Sequence, residues 1–136
     1  MKRRGVTTLN QRIHLFLHIW MSYALVRVRL GRLPLPAVVA SLGGDRRMAP
    51  TGVSPRAQGR MVWRHLRIAG WRPVCLPRAL VLYHLLSAQG TPAALVIGLA
   101  DQPNSKEAHA WVEAYGVDVG PPPGRSGHVE LARYGH

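Results

Sequence analysis

The sequence predicts an α+β fold: a helical first half, then a buried helix packed on a small antiparallel sheet. Three segments carry that expectation. Residues 75–90 are apolar on nearly every side, open on Cys75-Leu76-Pro77 and end near Gly90, which describes a buried helix. Residues 92–99 are a continuous apolar run bounded by Gly and Pro, and residues 108–114 alternate strictly; both read as strands. A buried helix followed by an antiparallel meander is an α+β arrangement. With 136 residues, 47% of them apolar, the chain has material for one domain with a modest core. We read residues 1–136 as that domain, with a basic helical region over 1–73 and a core over 74–136.

The first element is a helix over residues 8–30, closed at Gly31 with Arg27, Arg29 and Arg32 at its negative end. Lys2-Arg3-Arg4 ahead of an apolar run resembles the start of a signal peptide. The run holds His14 and His18, its uncharged stretch is short, and no cleavage site follows, so a helix of the domain is the better reading. The stretch is also too short to span a membrane, which takes about 20 apolar residues. Gln11, His14, His18 and Ser22 fall at spacings of three and four and read as its polar face. His14 and His18 have metal-ligand spacing, but without an intervening Glu or a third ligand they are assigned to that face. No metal or cofactor is expected.

Gly and Pro then punctuate residues 34–59, predicting a short helix over 37–42 and a flexible basic loop. A second helical pattern covers residues 60–70, with Met61, Val62, Leu66 and Ala69 inward and Arg60, Arg64 and Arg67 outward. After the strand at 92–99, residues 101–106 read as a turn. Tyr115-Gly116 forms a tight turn from the strand at 108–114 into Val117-Asp118-Val119. Pro121-Pro122-Pro123-Gly124 reads as extended, and residues 128–134 as a last short helix. His84 and His128 are read as structural.

Charge divides the chain. Overall it carries +12; residues 1–74 hold fourteen basic residues against Asp45, a net +13, and residues 75–136 hold four against five, a net −1. A pI near 11.5 resembles a binder of nucleic acid or anionic surfaces, but that property belongs to the first half alone. Arg60, Arg64 and Arg67, with Trp63 and Trp71, are what a nucleic-acid reader would use; no zinc-finger, RNA-recognition or helix-turn-helix pattern accompanies them. One cysteine excludes an internal disulfide framework and a Cys-rich zinc site.

That cysteine is placed for chemistry. Pro77 is tolerated only in the first helical turn, so the helix starts at or beside Cys75. There the unpaired N–H groups and the dipole favour thiolate over thiol. A histidine on a following strand, His109, supplies the second half of a Cys-His pair, in which imidazole takes the thiol proton and returns it to the leaving amine. The Cys75 backbone N–H is a candidate oxyanion donor, and the Trp71 indole a second. Trp111 and Glu113 share the His109 face and are candidate substrate-binding residues.

The segments Cys75-Leu76-Pro77-Arg78-Ala79-Leu80, Gly90-Thr91-Pro92-Ala93-Ala94-Leu95-Val96-Ile97-Gly98 and Ala108-His109-Ala110-Trp111-Val112-Glu113 closely resemble the transglutaminase-like cysteine peptidases of lasso peptide biosynthesis, the leader peptidases or B proteins. The resemblance covers about residues 74–119 and implies a transglutaminase/papain-like core. It implies Cys75 as nucleophile, His109 as base and an Asp, here Asp118, as the residue that orients the histidine. It also implies a lasso precursor as substrate, a separate leader-recognition protein of the split type, a lasso cyclase as a further partner, and a cytoplasmic setting. No nucleic acid is expected as partner, and membrane contact is not predicted.

The third member fits the register poorly. With Tyr115-Gly116 as turn residues, Asp118 faces Glu113 and Pro122 faces His109, about 13 Å further along at about 3.3 Å per residue. A bulge, or Glu113, Asp101 or a backbone carbonyl in place of Asp118, would resolve the mismatch. Two other readings stay open: a transglutaminase or amidase using the same pair, and a non-catalytic basic module for nucleic acid or an anionic surface.

Overall fold

A computed structural model describes residues 9–43, 52–68, 75–100, 108–119 and 128–135. The helices α1 (Leu9–Leu30), α2 (Leu35–Leu42), α3 (Pro55–Ile68) and α4 (Cys75–Ala88) precede the strands β1 (Ala93–Ala100), β2 (Ala108–Ala114), β3 (Val117–Asp118) and β4 (His128–Gly135). This is the α+β order expected, with a helical N-terminal half and an antiparallel sheet.

Helix α4 is the centre of the core. Leu80, Val81, Leu85 and Leu86 are essentially inaccessible, each contributing about 1.5–3 kcal/mol by burial. One side of α4 meets Leu15, Ile19 and Val26 of α1, Val38 and Leu42 of α2, and Val62 and Leu66 of α3. Its other side meets the sheet. His84 Nδ1 lies 3.2 Å from the Leu42 carbonyl, the structural role expected for it.

The sheet is ordered β3-β2-β1-β4 and is antiparallel throughout. Alternation decides its two faces. Leu95 and Ile97 of β1 and Ala110, Val112 and Ala114 of β2 join the core around α4, while Ala94, Val96 and Trp111 form a separate apolar cluster on the opposite face. Tyr115 (φ 52°) and Gly116 (φ 78°) are both left-handed, the geometry of a two-residue hairpin turn, and they fix Glu113 opposite Asp118 and Ala114 opposite Val117.

Four sequence expectations are corrected. Residues 128–134 form strand β4, not a helix. The strand carries an extra residue: Ala132 pairs with Ile97 and Glu130 with Gly98, leaving Leu131 unpaired between them, which breaks the two-residue period and lets Glu130 and Arg133 pair three residues apart. Helix α3 begins at Pro55, five residues before the expected start. Ser54 caps it, its Oγ accepting from Ala57 N–H at 3.2 Å, with Pro55 at the first helical position.

In α1 the inward face is Leu15, Ile19, Ser22 and Val26, so Ser22 is buried and does not belong to the polar stripe. The outward side of α1 is instead largely apolar, with Leu9, Ile13, Phe16, Leu17, Met21 and Val28 exposed. Helix α2 starts at Leu35, two residues ahead of expectation. The turn at 101–106, the extended stretch 121–124, Trp71, and the side chains of Arg67 and Ala69 lie outside the described residues. Among the described residues no helix is long and apolar enough to cross a membrane.

Candidate active site

Cys75 is the first residue of α4. Pro77 is buried in the first turn, where its missing N–H costs nothing and its fixed φ suits the helix. The backbone therefore places Cys75 at the positive end of the helix, among N–H groups that lack intrahelical acceptors and that stabilise an anion. Its side chain lies outside the described part of the structure.

His109 is the second residue of β2, half-buried and paired with Gly98. Its ring stacks on Trp111, with centroids 6.0 Å apart and planes 25° from parallel. Trp111 is buried, and its Nε1–H donates to Glu113 Oε2 at 3.3 Å. Glu113, only 2% exposed, accepts from Arg133 Nη1 on its other oxygen at 3.0 Å. Arg133 also donates to Glu130 at 2.8 Å through Nη2. Hydrogen bonds to Glu130 first and Glu113 second push the guanidinium further above its ordinary pKa, so it stays charged. The result is a chain running from Arg133 through Glu113 and Trp111 to the His109 ring, on the sheet face opposite the one that receives α4.

Gly98 is what makes room for this chain. A Cβ on it would lie 2.9 Å from Trp111 Cη2 and 2.7 Å from the Val129 carbonyl oxygen, so the indole lies across the glycine beside His109. Sequence reasoning did not assign Gly98 a role, although a glycine inside a strand is the usual sign of such close approach.

Asp118 sits opposite Glu113 on β3, as the turn predicts. Its backbone carbonyl accepts from Arg56 Nη2 of α3 at 3.3 Å. The structure thus brings His109, Trp111, Glu113 and Asp118 to neighbouring positions of one hairpin. It pairs Asp118 with Glu113 and not with His109. Continuing the register would put residue 122 opposite His109, and that residue lies outside the described ones.

The described residues do not show Cys75 and His109 in contact: Cys75 opens α4, which packs on one face of the sheet, while the His109 ring stacks on Trp111 on the other face. A thiolate-favouring helix start and an imidazole are nonetheless the two components of acyl-transfer chemistry at a carbonyl. Comparison with known proteins agrees at the level of family. No curated protein and no solved structure matches the chain. The family description "Transglutaminase-like superfamily" matches residues 17–131, from α1 into β4. The chain belongs to the transglutaminase-like superfamily.

Proposed function

We propose that this protein is a cysteine endopeptidase that removes the leader from a ribosomally made lasso peptide precursor, with Cys75 as nucleophile and His109 as base. The observation that carries the reading is Cys75 at the first position of α4 with His109 on β2, in a chain of this superfamily. In the cleavage step His109 accepts the Cys75 proton and the sulfur attacks the scissile carbonyl carbon. The tetrahedral oxyanion is met by the Cys75 backbone N–H. Collapse breaks the peptide C–N bond, the imidazolium gives its proton to the departing amine, and water then hydrolyses the thioester.

In this reading Asp118 orients His109, while Trp111 and Glu113, expected to bind substrate, are each only 2% exposed and back the His109 ring instead. The Trp111–Glu113–Arg133 chain, whose first two members are buried, gives the ring a rigid neighbour, which favours a fixed imidazole. A separate leader-recognition protein presents the precursor, and a lasso cyclase takes the product. The setting is cytoplasmic. Incubating the chain with its precursor and recognition protein, followed by mass spectrometry, tests this. Cleavage between leader and core that vanishes in Cys75→Ala supports it, and cleavage unchanged in that variant refutes it. An Asp118→Asn variant that cleaves at the wild-type rate removes Asp118 from the site.

Exposed Arg60 and Arg64 on α3 favour a second reading, a basic module that binds nucleic acid without catalysis. It predicts salt-sensitive retention on DNA that survives Cys75→Ala.

A further inference from the structure

The outward side of α1 and the adjoining side of α3 enclose an open groove of about 530 Å³. Its α1 wall is apolar: Ile13, Phe16 and Leu17 are 49%, 42% and 53% exposed. Isolated exposed apolar residues are ordinary, but these are adjacent, concave and continuous along a helix. The rim is cationic. Arg12, Arg60 and Arg64 all line the groove and are exposed, and no described carboxylate forms an ion pair with them. The neighbouring His65 is held below its ordinary pKa by burial and by Arg64, so the positive charge at neutral pH is that of the arginines.

We propose that this groove docks a helical segment of a partner protein that presents apolar side chains flanked by carboxylates. Two parallel requirements fix that chemistry. An apolar wall between two helices receives the i, i+3, i+4 anchors of an amphipathic helix. Three guanidinium groups on the rim have to meet anions, and carboxylates beside those anchors reach them without entering the groove. Two copies of this chain do not fit groove to groove, because each would bring its arginines against the other's, and residues 1–74 offer a single acid, Asp45. A flat anionic bilayer matches the charge but leaves a concave apolar wall unfilled. The proposal goes further than the peptidase reading, in which a protein partner has no assigned surface, and it does not depend on that reading.

The test uses the full chain carrying Cys75→Ala, so that no cleavage intervenes. Fluorescence anisotropy reads binding of a labelled amphipathic helical peptide of about 18 residues, with a Leu stripe flanked by Glu, and of the same peptide with Lys in place of Glu. The Glu peptide is expected to bind. Leu17→Asp, and separately Arg60→Glu with Arg64→Glu, each weaken it by about tenfold or more, and the charge-reversed protein gains the Lys peptide. These positions are exposed, and circular dichroism verifies that the variants fold. Absence of Glu-peptide binding, or binding unaffected by both variants, overturns the proposal. So does retention of phosphatidylglycerol vesicles or duplex DNA when the peptide is not retained, or a concentration-dependent dimer that Leu17→Asp abolishes.

Discussion

Glu113 and Arg133 meet across β1, the strand between them, with Oε1 and Nη1 3.0 Å apart and the carboxylate almost wholly buried. Glu113→Ala removes the acceptor for both Arg133 and the Trp111 indole, and is expected to cost about 2 kcal/mol in urea unfolding. Arg133→Ala is expected to cost about 3 kcal/mol, because it leaves the buried carboxylate without its guanidinium. A loss under about 0.5 kcal/mol in both variants would contradict the role given to this pair.

Gly98 is expected to tolerate no side chain. Gly98→Ala forces either the Trp111 ring or the Val129 carbonyl to move, and should cost about 1–3 kcal/mol with a shift in tryptophan fluorescence. A variant within about 0.5 kcal/mol of wild type in chemical denaturation would show that the indole does not lie across this position.

Tyr115 is an exposed aromatic residue held at φ 52° where the turn favours Asn. Tyr115→Asn should raise stability by about 0.5–1 kcal/mol, since it relieves that backbone cost without touching the core. Thermal unfolding measures it, and a fall in melting temperature would contradict the turn geometry.

The hairpin was readable because its turn chemistry and period agree: Tyr115-Gly116 sets the register, and Glu113 does face Asp118. The start of α4 was readable because Pro77 leaves one place for it. Strand β4 was not, because its extra residue breaks the two-residue period and leaves Val129 and Leu131 exposed on an edge strand. The start of α3 is hidden in the sequence because Ser54-Pro55 resembles the surrounding loop punctuation, whereas it is a cap followed by a first-turn proline. The apolar outer side of α1 was hidden for another reason. Its Leu, Ile and Val residues occur on both sides of the helix, and periodicity does not reveal which side meets the core.

Gln58 of α3 and Gln89, just after α4, exchange reciprocal amide hydrogen bonds of 3.1 and 2.6 Å while both are buried. Each also donates to a backbone carbonyl, Val53 and Leu85 respectively. Gln58→Leu or Gln89→Leu alone strands the other amide and should cost about 2 kcal/mol. The double variant should lose less than the two together, with a coupling of about 1 kcal/mol from a denaturation cycle. Strict additivity would mean that the pair does not act as a unit.

Whether Cys75 and His109 act as a pair is directly measurable, because the chain has a single thiol. The rate of iodoacetamide alkylation against pH, in wild type and in His109→Ala, reports thiolate content without substrate or partner. An ordinary thiol titrates near about 8.5, and its rate falls about tenfold per pH unit below that. With the pair acting together the wild-type rate stays high to about pH 6, and His109→Ala moves the profile to higher pH, though still below an ordinary thiol because the helix start remains. Superimposable profiles for the two proteins would contradict that pairing.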